Sequence, residues 1–191
     1  MVIQTKEDIE ALINEDKWMM DLLKVAQQLD LPDWWICAGF VRSKIWDTLH
    51  GYKERTPLAD IDVIYFDPDN IEESEEKKWE DQLQSLMPNI PWSVKNQARM
   101  HKINNLPPYL SSVDGIANFP ETVTAIGVKL DGQNKIELVA PHGLTDLLQM
   151  TVNPVPRFAI NEDLLAVYEQ RILRKNWQSI WPNIRIVSRK K

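Results

Sequence analysis

The chain opens on helical periodicity. Thr5 with Asp8 has the form of a capping box, and Ile9, Leu12 and Ile13 follow at helical spacing. A second helical stretch from Asp16 to Leu29 carries Met19, Leu22, Leu23, Ala26 and Leu29 on one side and is closed by Pro32. The period then changes. Trp34 to Ala38 is a short continuous apolar run, which predicts a buried strand; Gly39 marks a turn, and Val41 to Leu49 a helix ended by Gly51. Leu58 to Phe66 predicts a further buried strand, Glu72 to Leu86 a charged amphipathic helix bounded by Pro88, and Pro91 to Ala98 another strand. Asn104 to Pro120, with Pro107, Pro108 and Gly115, keeps neither period and reads as a substrate loop or lid. Thr122 to Leu130 and Lys135 to Val139 alternate around Asp131-Gly132-Gln133-Asn134, a hairpin signature. A helix from Leu144 to Met150, breaks at Pro154 and Pro156, and a long helix capped by Asn161 and running to about Trp177 complete the pattern.

This order predicts an α+β fold, a mixed sheet of about five strands with flanking helices. The hairpin disfavours a purely parallel, doubly wound sheet. The expected organisation is N-terminal helices over 1–31 packing on an α+β core over 32–150. A C-terminal helix and basic tail over 151–191 follow, the whole forming one compact domain.

Composition narrows the function. With 43% hydrophobic residues and eight tryptophans among 191 residues, the chain has ample material for a core. A net charge of −6 and a pI near 5.1 argue against capture of long nucleic acids. The charge is uneven, however: Arg157 to Lys191 carries eight Lys/Arg against three acids. That end could hold phosphates, although a solvated helix face with a frayed tail is the simpler reading. Cys37 is the single cysteine, lies in an apolar run and reads as a core residue. No apolar stretch has the length of a membrane span and no signal-peptide pattern opens the chain, so the expectation is a cytoplasmic protein without a membrane partner.

Against this background Asp60-Ile61-Asp62 stands out, because it interrupts the apolar run Leu58 to Phe66. Burying a carboxylate costs several kcal/mol unless something pairs with it. Residues i and i+2 of a strand share a face, so the two carboxylates converge on one site, and a divalent cation is the simplest partner for both. Two other pieces bear on this. Ile36 to Arg42 is a strand ending at Gly39, which opens a helix whose N-terminal N–H groups, with Arg42, suit an anion. Glu137 is another acid embedded in an apolar strand, Ile136 to Ala140.

In this order the pieces resemble the polymerase β-type nucleotidyltransferase superfamily, which includes the CCA-adding enzymes. Ala38-Gly39-Phe40-Val41-Arg42 resembles its turn motif, Leu58 to Ile64 its two-acid strand, and Ile136-Glu137-Leu138 its third acid. The chain departs from the pattern at Ala38, where many members have glycine, and at Ser43, where the CCA-adding group has aspartate. Val94 to His101 and Val139 to Leu147 are similar to a small bacterial family of uncharacterised nucleotidyltransferase-like proteins, and the resemblance runs from about residue 16 to 182.

The resemblance implies a palm-like core, a nucleoside triphosphate substrate and two Mg²⁺ ions, or Mn²⁺, held by Asp60, Asp62 and Glu137. Attack of an acceptor hydroxyl, on a small molecule or a protein, would transfer a nucleoside monophosphate and release pyrophosphate. Gly39 and Arg42 would hold the outer phosphates. Asn96, Arg99 and His101 are further candidates for nucleotide contacts from one strand edge, with a hydrogen-bonded strand end as the alternative. Were Asn96 the match to the third acid, the site would lack a third carboxylate, and a nucleotide-binding regulatory module with little turnover would be favoured. A third reading makes Asp60 and Asp62 structural, salt-bridged to Arg42 or Arg55. Trp92 is a candidate stacking platform, while His50 and His142 read as structural.

Overall fold

A computed structural model describes residues 3–188. The helices are α1 (Lys6–Asn14), α2 (Lys17–Gln27), α3 (Gly39–Leu49), α4 (Glu73–Leu86), α5 (Gln97–Met100), α6 (Ser112–Ala117), α7 (Thr145–Leu148), α8 (Pro156–Ile160) and α9 (Glu162–Lys175). The strands are β1 (Trp35–Cys37), β2 (Ile61–Tyr65), β3 (Trp92–Asn96), β4 (Gly127–Leu130), β5 (Ile136–Val139), β6 (Thr151–Val152) and β7 (Arg185–Ile186). Among the described residues β1 to β5 form one mixed sheet in the order β3-β2-β1-β4-β5, parallel only between β2 and β3, and β6 pairs with β7 apart from it. The fold is α+β, with a five-stranded mixed sheet flanked by helices.

The capping box written into the sequence forms: Thr5 Oγ1 accepts from Asp8 N, and Asp8 Oδ2 from Thr5 N. Asp16 caps α2 in the same way, accepting from Met19 N. Several elements are shorter than their apolar patterns. Leu58 to Asp60 lie ahead of β2, and the region expected to be irregular between Asn104 and Pro120 holds α6. The frayed tail anticipated at Arg189 to Lys191 lies outside the described residues.

The sheet register sorts the residues by face. Val94, Val63, Ile36, Val128 and Leu138 stand side by side across all five strands and are buried, making one apolar row. Helix α1 packs against β5 and α2 against β4, and their buried Ile9, Leu12, Ile13, Leu22 and Leu23 join the same core. That core runs from Ile3 to Ile184, so it takes in residues of all three sequence segments.

One residue along, the neighbouring row carries Ser93, Asp62, Cys37, Gly127 and Val139 on the opposite face. This row is small and polar at its centre, which leaves room above it. A Cβ at Gly127 would stand 3.0 Å from Cys37 Sγ and 3.1 Å from Ile116 Cδ1, so the absent side chain is what lets α6 settle onto the Asp62 face. Strand β3 is an edge, and α4 covers it chemically. Glu80 accepts from Val94 N at 3.0 Å and Glu76 from Asn96 N at 2.9 Å, so two carboxylates spaced one helical turn apart occupy alternate N–H groups of the edge.

Candidate active site

Asp62 projects from β2 into a cavity of about 360 Å³ on the polar face of the sheet. Ala38 from the β1–α3 turn, Phe119 and Pro120 from the segment after α6, and Arg171 and Arg174 from α9 line the same space. Asp60 is half-buried immediately ahead of β2, near enough that its charge acts on Asp62. Burial first, and then Asp60, raise the Asp62 carboxyl to about 6, against the opposing charges of Lys175, Arg171 and Arg42. Neither aspartate's carboxylate has a hydrogen bond or ion pair among the described residues. Such a pair of unmatched acids is energetically costly in the absence of a cation.

The structural reading of these acids required Arg42 or Arg55 as a partner, and neither serves. Arg55 lies 2.6 Å from Asp16 and stacks on Trp18, with its guanidinium carbon 4.1 Å from the ring centroid. Arg42 is buried in a cage of indoles, 4.3 Å from the Trp177 ring, 5.3 Å from Trp46 and 5.6 Å from Trp181. Burial pulls its guanidinium down to about 10, opposed by Glu121, so it stays charged at neutral pH. Its Nε has no hydrogen-bond partner among the described residues. Arg42 thus contributes its charge through space, reaching Asp60 and Asp62, without lining the cavity.

The turn ahead of α3 has an unexpected distribution of strain. Gly39 has an ordinary backbone, and a Cβ there would meet Arg42 Nη2 and Leu58 Cδ2 at normal contact distances of 3.6 and 3.8 Å. Ala38 is the strained residue, with φ 53° and ψ −114°. That is the position at which many superfamily members carry glycine, and an alanine there costs about 1–2 kcal/mol. Ala38 N donates to Ile126 O at 3.0 Å, anchoring the turn to β4's approach, while no side chain caps α3. The first N–H groups of an eleven-residue helix therefore open beside Asp62. Ala38→Gly should stabilise the protein by about 1 kcal/mol, after the greater entropy of glycine in the unfolded chain is set against the relieved strain. Urea denaturation with an unchanged slope would register this.

Glu137 is not brought to the aspartates. It lies on the same face of the sheet but on the edge strand β5, three strands and about 14 Å across from β2. It is exposed and 3.4 Å from Lys129, whose Nζ sits 4.5 Å from the Trp35 ring centroid. No group of three His, Cys, Asp or Glu able to hold a metal forms among the described residues. The expectation of a third acid from the Ile136 to Val139 strand is thus corrected by strand order, which puts β1 and β4 between the two. Glu137→Gln should leave activity within about 2-fold of the unmodified protein, as expected for a surface ion pair.

Asn96 and Arg99 also work elsewhere. Asn96 is buried and its amide is saturated: Nδ2 donates to Asp67 O and Asn70 O, and Oδ1 accepts from Asp67 N and Ala98 N. Arg99 grips Glu76 through two 2.6 Å hydrogen bonds. Both fasten α4 and its flanking loop to β3. His50 and His142 bind backbone carbonyls of Trp46 and Ala117, and Trp92 sits on the register row facing away from Asp62, its Nε1 donating to Met87 O.

The sequence offered the cations of α9 only as part of a basic end that could hold phosphates, with a solvated helix face as the simpler reading. Val167, Arg171 and Arg174 lie on one helical face and line the cavity, and the charge of Lys175 reaches Asp62. Arg171 is aimed by Glu121, which is fully buried and accepts from Arg171 Nε at 2.8 Å and from Thr124 Oγ1 at 2.7 Å. Burial acts to lower the Arg171 pKa, but Glu121, with Asp62 and Asp60 adding, holds it above the usual arginine value. Asp62 thus lines the cavity beside a helix N-terminus and a set of cations, while Asp60, ahead of β2, is absent from the cavity wall and acts through its charge, an arrangement suited to a polyanion chelating a metal.

Comparison with known proteins identifies the family and the fold. The chain belongs to the nucleotidyltransferase family, whose model matches residues 24–186, and membership makes it a transferase. It is 36% identical, with a TM-score of 0.86 and 97% of each chain covered, to a protein whose NMR structure reveals a CCA-adding enzyme head domain. It shares its fold, at 14% identity and a TM-score of 0.59, with a CCA-adding enzyme in complex with CTP, covering 98% of this chain and 44% of that one. A Thermotoga maritima CCA-adding enzyme complexed with tRNA gives 15% identity, a TM-score of 0.57 and coverage of 99% and 44%. The chain thus spans less than half of those two enzymes. No curated protein matches it.

Proposed function

We propose that the protein transfers a nucleoside monophosphate from a nucleoside triphosphate to a hydroxyl acceptor with release of pyrophosphate, in a reaction that depends on a divalent cation. The observation that carries this reading is the pair Asp60 and Asp62, whose carboxylates have no hydrogen bond or ion pair among the described residues although Asp62 lines the wall of a cavity. Two carboxylates completed by phosphate oxygens are an ordinary donor set for Mg²⁺, so the residues present fit the ion without a third protein acid. When bound, Mg²⁺ or Mn²⁺ would neutralise the charge that develops on the reacting phosphate and favour ionisation of the acceptor hydroxyl.

The chain's own residues have the remaining tasks. The open N–H groups at the start of α3 and the Arg171 guanidinium would hold the outer phosphates, and Arg42 would add its charge from within its tryptophan cage. Glu121 fixes the orientation of Arg171. Pyrophosphate leaves toward these cations, which stabilise it more than the substrate because charge accumulates there during bond breaking. A small-molecule or protein acceptor is favoured over long nucleic acid by the net charge of −6.

The pH dependence has a defined sign. Burial and the Asp60 charge raise the Asp62 carboxyl to about 6 in the fold, above the ordinary aspartate value of 3.8, so without metal the folded state binds the extra proton between these values. The associated stability is present below about 4 and is lost as the pH rises through about 6. Added Mg²⁺ and nucleotide should reverse that loss above pH 6. Melts across this range, with and without metal, would record a pH slope that Asp62→Asn removes. The direct test of function is incubation with each α-labelled triphosphate, Mg²⁺ and cell extract. Label transferred to an acceptor, with pyrophosphate released, is the expected outcome; release of neither contradicts the reading.

A further inference from the structure

Along the sheet from the turn, the cavity wall carries an amide with no protein partner among the described residues. Gln97 is 3% exposed and lines the cavity, yet its amide makes no hydrogen bond among the described residues. Three of the polar side chains that line the cavity with it are engaged elsewhere. Asn118 Nδ2 donates to Asp114, Thr124 Oγ1 to Glu121, and Lys95 Nζ lies 3.2 Å from Glu76. An amide that lines a cavity without a protein partner has its donor and acceptor free for a ligand. The fold also makes room for it: a Cβ at Gly115 would stand 2.5 Å from Gln97 Oε1, so α6 closes over Gln97 only because that residue is glycine.

Its position suits one part of the substrate. Ile64 pairs with Lys95 in the parallel register, which puts Gln97 roughly 13 Å along the sheet from Asp62. A nucleotide whose α-phosphate lies at Asp62 would carry its base into that end, between the apolar side chains of Met100 and Phe119. A primary amide presents one donor and one acceptor side by side, the complement of the adjacent donor and acceptor on a nucleobase edge. We propose that Gln97 reads the nucleobase of the triphosphate and sets the base preference of the enzyme. This rests on the nucleotidyl-transfer reading above and extends it to specificity.

The test measures binding of ATP, GTP, CTP, UTP and inorganic tripolyphosphate to the full chain with Mg²⁺, for the unmodified protein, Gln97→Met and Gly115→Ala. Methionine keeps the length of the side chain without donor or acceptor. The unmodified protein should prefer one base over the poorest by at least about 10-fold, a preference that Gln97→Met collapses while tripolyphosphate affinity is unchanged. Gly115→Ala, which displaces Gln97, should reduce the same preference. Equal preference in the unmodified protein and Gln97→Met, with tripolyphosphate still bound, overturns the specificity role and leaves nucleotidyl transfer standing. Loss of tripolyphosphate binding in Gln97→Met shows a structural role and also overturns it. Failure of the unmodified protein to bind any triphosphate or tripolyphosphate overturns nucleotidyl transfer and the inference together.

Discussion

Asp62→Asn should abolish nucleotidyl transfer while making the metal-free protein more stable. The side chain sits where burial and Asp60 disfavour its charge, with no bonded partner among the described residues to offset either. Asparagine is nearly isosteric and neutral, so at pH 7.5 the melting temperature of the metal-free variant should rise. The same substitution removes a carboxylate from a two-carboxylate donor set. A loss of about 4 kcal/mol in transition-state stabilisation corresponds to about 10³-fold in rate, and pyrophosphate release should fall at least that far. Opposite changes in stability and activity are the signature of a functional charge. An acid placed for structure would give a decrease in both.

Arg171→Ala should be severe for a different reason. Truncating it strands the fully buried Glu121, whose other side-chain partner is the Thr124 hydroxyl. Breaking a buried ion pair by removing one member costs about 3–5 kcal/mol, visible as a lowered midpoint in chemical denaturation. Combining it with Glu121→Gln should recover most of the stability, because no uncompensated charge remains. The double variant should nevertheless keep a KM for triphosphate raised by about 10-fold or more, the value of a lost charge-assisted hydrogen bond. Recovery of KM along with stability would mean that Arg171 serves Glu121 alone.

What the sequence discloses depends on whether the chemistry is local. Thr5 with Asp8, Gly39 at the head of α3 and Asp60-x-Asp62 are short-range patterns; the capping box and the turn form where the pattern puts them, and of the two acids Asp62 lies on β2 and lines the cavity while Asp60 falls just ahead of the strand. The α+β class followed from alternating and helical periods and the hairpin turn. Strand order is not local. Glu137 has the same sequence character as Asp62, an acid between apolar residues, and only the interposition of β1 and β4 separates them. Arg171 and Arg174 look like a solvated helical face in sequence, since nothing in the chain announces that α9 returns to the mouth of the turn. Glu121 carried no signal either, lying between the irregular segment that ends at Pro120 and the strand expected from Thr122. Arg99 and Asn96 have the polarity of ligand contacts and spend it on fastening α4 and the following loop. Ala38 is instructive in the other direction: the departure from glycine noted in the motif falls on the residue whose φ is positive.

The central claim is that Asp60 and Asp62 hold a divalent cation together with a nucleotide. It is tested most directly by electron paramagnetic resonance titration of Mn²⁺ against the protein in the presence of a non-hydrolysable triphosphate analogue. Immobilised Mn²⁺ is expected in the unmodified protein, dependent on the nucleotide, and none in the Asp60→Asn, Asp62→Asn double variant. Equal Mn²⁺ binding by both proteins, or none by either, would contradict it.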